Sequence, residues 1–81
     1  MRTTDIPLKH PVTISGHTYE SLTMRSAKAR DQVVAQKSAS HKADVEVVLF
    51  SNLCEVSPEV LEELEMVDYH AVQKAYNGFL S

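Results

Sequence analysis

The stretch Pro11-Val12-Thr13-Ile14-Ser15-Gly16-His17-Thr18-Tyr19-Glu20-Ser21-Leu22-Thr23-Met24 constrains the fold most. Apolar and polar residues alternate on both sides of a central glycine, and β-branched and aromatic residues dominate the flanks. Alternation with a period of two places Val12 and Ile14 on one face before the turn; Tyr19 joins the buried side after it, with Leu22 as a further candidate outside the strict alternation. Gly16 can take positive φ without a steric penalty, as a tight hairpin turn demands. The stretch predicts a β-hairpin over residues 11–24, with Pro11 at a strand start where a missing N–H does least harm. A lone two-stranded ribbon is marginal in water, so the rest of the chain must cover one face of it.

That rest is short. The chain has 81 residues, one domain's worth, and buries only roughly 60–65% of its unfolded surface. One cysteine, Cys54, excludes an internal disulfide and any Cys-x-x-Cys zinc knuckle. Small scaffolds lacking both lean on association with a partner or with themselves. Met1 to Lys9 is polar and mixed, which predicts a flexible lead-in rather than a secretion signal. The longest apolar run, Val47-Val48-Leu49-Phe50, is far too short to span a bilayer. A soluble protein of the cytoplasm, with no membrane partner, is expected.

Helical signals follow the hairpin, over residues 25–81. Arg25 to Lys37 reads as a helix capped by Ser26. Ser38-Ala39-Ser40-His41 is a polar break. Asp44 to Leu53 suits a buried strand or a helix, and length favours helix. Ser57 as cap and Pro58 at the first helical position open a third helix, with Val56 and Leu61 as a hydrophobic staple. The same arrangement around Asp68, between Val67 and Val72, predicts a fourth helix and makes Glu65-Met66-Val67 a joint. Strands first and helices after define an α+β fold, an N-terminal β-hairpin followed by three to four short helices.

The charge is unevenly placed. Residues 1–42 balance at +4 and residues 43–81 at −7, giving −3 in all. Such a split can steer a charged partner, drive head-to-tail self-association, or amount to two solvated faces.

The residues offer little reaction chemistry. Two distant glycines, Gly16 and Gly78, make no phosphate cradle. His10, His17, His41 and His70 are never three or four apart, so no helix face offers a histidine pair to a metal. Glu59, Glu62 and Glu63 read as a solvated face near a helix start, and Cys54 beside Glu55 as an inert buried thiol. Arg25, Lys28, Arg30, Lys37 and Lys42 could touch phosphates, but no aromatic residues interleave with them. No catalytic, metal or cofactor residue is assigned, and neither an enzyme nor a nucleic-acid binder is expected. The candidate partner-binding residues are Tyr69, Val72, Tyr76, Phe79 and Leu80, at the chain's apolar-striped end. Spacing leaves open whether they form core or interface.

Three stretches together resemble the short tail assembly chaperones of contractile-tailed, Mu-like and related phages and prophages. Leu8 to Arg25 looks like that family's opening, a basic-Pro-Val ribbon with a Gly turn and the exit Tyr19-x-x-Leu22-x-x-Arg25. Leu53 to Leu64 is similar to its "Ser-Pro-Glu-x-Leu" helix start, here Ser57-Pro58-Glu59-Val60-Leu61. Val67 to Leu80 is similar to its terminal "Asp-Tyr-x-x-hydrophobic" helix, here opening at Asp68-Tyr69. Ala27 to Lys42 departs, because the family often carries a Pro where Ser26 or Ala27 stands. The resemblance implies a chaperone that binds the tape-measure protein, keeps it soluble during tail morphogenesis and is not retained in the virion. It further implies a longer, frameshifted form as a possible partner, with this chain as the short form; a homo-oligomer is also possible. A small structural tail protein and a small DNA-binding regulator of a mobile element are the alternatives.

Overall fold

The structure is a computed structural model and describes residues 2–80. Met1 of the expected lead-in and Ser81 of the expected helical part lie outside the described residues. Strand β1 (Thr3–Ile14) and strand β2 (His17–Arg25) pair antiparallel. Ser15 and Gly16 join them, with φ of 51° and 80°. Two successive positive φ values are the signature of a type I′ turn, whose twist matches that of the strands. Gly16 adopts this conformation freely, whereas Ser15 carries about 1 kcal/mol of strain that pairing offsets.

The lead-in expected over residues 1–9 is instead ordered from Thr3 onward as the first half of β1. Thr4 lies opposite Met24 and Ile6 opposite Leu22, so the hairpin runs over residues 3–25 rather than 11–24. Ile6 and Leu8 sit two apart and point inward, at 3% and 8% exposure, while Asp5 and Pro7 face water. Burial of those two side chains stabilises the pairing by roughly 3 kcal/mol or more.

The ladder breaks after Pro7. Pairing resumes at Val12 opposite Tyr19, so residues 8–11 bulge against Glu20 alone. A bulge releases backbone groups from the partner strand. Pro11 has no N–H to satisfy, but those of Lys9 and His10 must find acceptors elsewhere.

Helices α1 (Ala29–Ser38), α2 (Val45–Cys54), α3 (Pro58–Glu62) and α4 (Met66–Phe79) follow, with a 3₁₀ turn, Lys42–Asp44, leading into α2. Ser26 does not cap α1. β2 runs through Arg25, and the Ser26 N–H continues the sheet by donating to the Arg2 carbonyl at 2.9 Å. Lys28 takes the cap position, and Asp31 reaches back to accept its N–H at 2.8 Å. Arg25 holds the same carboxylate with both guanidinium nitrogens, at 2.9 and 3.0 Å. These bonds hold the Asp31 carboxyl down at about 2. The folded value lies below the unfolded one, so the ion pair's contribution is complete above pH 4 and disappears as pH falls towards 2. With partial solvent screening it amounts to about 1 kcal/mol. Urea titrations of wild type and Asp31→Asn should therefore differ by that amount at pH 7 and converge near pH 2.

α2 is a helix, as length argued. Its Leu49, Phe50, Leu53 and Cys54 are buried, and it lies centrally between the hairpin and α1. α3 begins at Pro58 with Ser57 in the cap position, although the Ser57 hydroxyl makes no capping bond. α4 starts two residues before the expected cap, at Met66, with Glu65 in the cap position. The joint is therefore residues 63–65, and Val67, 44% exposed, does not staple onto Val72. The helices cover one face of the hairpin: α2 lies along β2, with α3 and α4 along β1. Ile6, Val12, Leu22 and Met24 meet Phe50, Leu53, Leu61 and Val72 in a single core.

Candidate partner-binding surface

α4 is fixed at its start by the bulge. Asp68, the third residue of the helix and 1% exposed, accepts the Lys9 N–H at 2.8 Å and the His10 N–H at 3.0 Å. The carboxylate thus satisfies the two donors the bulge set free, and it lies at the positive end of its own helix. Read in sequence as a cap, Asp68 instead acts as a clasp between helix and hairpin.

Midway along, Glu46 of α2 fixes α4 a second time. One of its carboxylate oxygens accepts both the Tyr69 hydroxyl, at 2.6 Å, and the Gln73 amide, at 2.9 Å. Burial, together with this anionic acceptor, pushes the Tyr69 hydroxyl pKa upward. The Tyr69 and Tyr76 rings lean on Phe50 with centroids 6.0 and 5.3 Å away, at tilts of 52° and 55°. Tilted pairs of this kind are favourable contacts between aromatic quadrupoles.

The five candidate residues therefore separate. Val72 has no exposed surface and belongs to the core. Tyr69 and Tyr76 are half-buried against α2. Phe79 is half-buried, with the Arg2 guanidinium 5.2 Å from its ring centre. Leu80 is 64% exposed. Beside Tyr76 a cavity of about 180 Å³ opens between α1 and α4, lined by Gln32, Val45, Glu46, Leu49 and Phe50. Helical spacing revealed the stripe but not which of its members face inward.

Other apolar residues also stand in water. Val33 and Val34 of α1 are 50% and 47% exposed, and Met66 at the start of α4 is 62% exposed. The weak apolar stripe that spacing gives α1, Ala29, Val33 and Val34, thus faces water, and the residues that α1 buries are Asp31 and Ala35, because Asp31 is held inward by Arg25.

The groups considered for chemistry are dispersed. Cys54 is buried, which pushes its thiol up to about 11, far from a thiolate at neutral pH. Glu59, Glu62 and Glu63 are exposed around α3. Among the described residues no group of three His, Cys, Asp or Glu side chains could hold a metal ion. No helix among them is long and apolar enough to cross a membrane.

A hairpin clasped to a helical layer, with an apolar open end, defines a small α+β protein that presents surfaces rather than an enclosed cleft. The chain belongs to the family described as "Phage tail assembly chaperone proteins, E, or 41 or 14", whose model matches residues 5–81. Comparison with curated proteins and with solved structures returned no match. Family membership makes this a phage tail assembly chaperone and points to a non-enzymatic role among tail proteins.

Proposed function

We propose that the chain binds the tape-measure protein in the host cytoplasm, keeps that protein's apolar helices soluble during tail morphogenesis, and leaves before the particle is complete. The observation carrying this reading is the open end of α4: Leu80 exposed, Phe79 half-exposed, and Tyr76 walling the adjacent groove. An amphipathic helix laid there would place apolar side chains against Leu49, Phe50 and Tyr76. The Asp68 clasp and the Glu46 bonds hold α4 in place beforehand, which lowers the ordering cost of binding. In this reading Tyr69, Tyr76, Phe79 and Leu80 form the docking surface, while Val72 anchors the helix behind it. A longer frameshifted form of the chain would share this surface and compete for, or join, the same partner.

The test is co-expression with the tape-measure protein, measuring its soluble fraction and its co-purification. Leu80→Ser is the clean probe, because Leu80 supports little of the core. The substitution is expected to lower co-purification by about tenfold or less, a loss on the order of 1 kcal/mol, while the melting temperature stays within roughly 2 °C. Unchanged recovery of soluble partner by the variant would remove the open end of α4 from the docking surface. Mass spectrometry of purified virions separates a chaperone, which should be missing, from a structural tail protein, which should be retained.

A further inference from the structure

We propose that the exposed stripe of α1, Arg30-Val33-Val34-Lys37, docks head-to-tail on the acidic shoulder Glu63-Glu65-Met66-Val67 of a second copy of this chain. Neither patch includes a residue of the surface assigned to the tape-measure protein.

The stripe follows from helix geometry. Asp31 and Ala35 are the buried residues of α1. The spacing of 30, 33, 34 and 37 therefore puts those four side chains on one solvent-facing strip. Two half-exposed valines lie between two cations. On a helix with only one other helix packed firmly against it, such a strip has no covering element in the monomer.

The shoulder is the mirror of this arrangement in charge. Met66 and Val67 are 62% and 44% exposed, and Glu62, Glu63 and Glu65 stand exposed just before them. Beside them Glu63 and Glu65, with His10, Pro11 and Thr13, line a cleft of about 350 Å³. The cleft is polar, open to water and large enough to admit the end of an arginine or lysine side chain.

Among the described residues neither set of charges is held in an ion pair. Arg25 with Asp31 is the one ion pair among the described residues, and among those residues Arg30, Lys37, Glu63 and Glu65 have no opposite charge within 4.0 Å. α1 packs chiefly on α2, whereas the shoulder adjoins the β1 bulge, so the two patches belong to different parts of the surface. Each copy therefore carries both halves of a complementary pair: apolar contact at the centre, cations on one side and anions on the other. The +4 balance of residues 1–42 and the −7 balance of residues 43–81 orient two copies in the same sense. A contact joining different patches is heterologous, so it propagates until it closes a ring or extends a filament.

Sedimentation velocity of the full chain alone, over a wide range of concentration, tests this directly. The average mass should rise with concentration in low salt, and association should weaken by about tenfold or more in about 0.5 M salt, where screening is strong. Charge reversal on either patch, Arg30→Glu with Lys37→Glu or Glu63→Lys with Glu65→Lys, should leave each variant monomeric. Mixing the two variants should restore association, because each reversed patch then meets a complementary one. Val33→Ser with Val34→Ser keeps every charge and should also abolish association; it decides the matter if a reversed variant melts abnormally. A chain that stays monomeric at all concentrations overturns the proposal. So does association indifferent to these substitutions, or a mixture of reversed variants that fails to associate. The assay contains no tape-measure protein, so such a failure leaves the chaperone reading untouched.

Discussion

Asp68→Ala should destabilise the folded chain by about 3 kcal/mol, more than any other substitution of a polar residue. The Asp68 carboxylate is 1% exposed and accepts two backbone donors, Lys9 N–H and His10 N–H. The β1 bulge removes those donors from the ladder, and Pro11 beside them can contribute none. A buried donor left without its acceptor costs roughly 1–3 kcal/mol, and both bonds here end on a carboxylate that is almost inaccessible to water. A domain of this size has only on the order of 4–12 kcal/mol in total, so the loss is a large share. The melting temperature should fall by roughly 10–20 °C. Asp68→Asn should recover part of the loss, because its amide oxygen can accept one donor while its NH₂ group opposes the other. Thermal and urea denaturation followed by circular dichroism measure the effect. Hydrogen exchange locates it: the Lys9 and His10 amides should lose protection first, before those of α2. If Asp68→Ala melts within a few degrees of wild type, the clasp does not hold helix and hairpin together.

The clasp also explains where the sequence was readable and where it was not. Gly16 announced its turn because few other residues take a φ of 80° without strain. Ser57-Pro58 announced a helix start because a proline's fixed φ and missing N–H suit that position and few others. Both signals are local, complete within a few residues. The first half of β1 gave no comparable signal. Ile6 and Leu8 are two apolar residues among polar neighbours; Leu22, opposite Ile6, lies on the other strand, and Leu8 falls in the bulge with no residue opposite it. The bulge then broke the alternation at Lys9-His10-Pro11, so the visible pattern began only at Pro11. Asp68 looked like a cap because an aspartate before an apolar-striped helix usually is one. Its actual donors lie 58 and 59 residues away, beyond any local pattern. α2 was ambiguous for a different reason: surrounded by hairpin, α1 and α3, it is apolar on most sides and shows little helical periodicity. The stripe of α4 was visible as spacing, but the division between buried Val72 and exposed Leu80 depends on where Phe50 and the sheet lie. The family was legible through the order of three segments along the chain, none of which encodes a reaction.

Phe50→Ala should have the largest effect of any single truncation, about 3–5 kcal/mol. Phe50 is 1% exposed at the centre of α2, where its ring meets Tyr69 and Tyr76 of α4. Removing the ring leaves a void beside the existing groove and deprives both tyrosines of their aromatic partner. The backbone there is held by helix hydrogen bonds and by the Glu46 contacts to Tyr69 and Gln73, so it can collapse only partly onto the void. A loss of this size approaches the whole stability of an 81-residue chain, so a broad, non-cooperative melt is expected. Phe50→Leu fills much of the same volume and should cost about 1–2 kcal/mol while keeping a cooperative transition. The pair of variants also bears on function. If α4 docks its partner while seated on Phe50, then Phe50→Leu should retain partner solubilisation in proportion to its folded fraction, and Phe50→Ala should lose it with the fold. A cooperative melt for Phe50→Ala close to that of wild type would mean that α4 packs without its aromatic seat. The groove beside Tyr76 would then lose its structural basis as a docking surface.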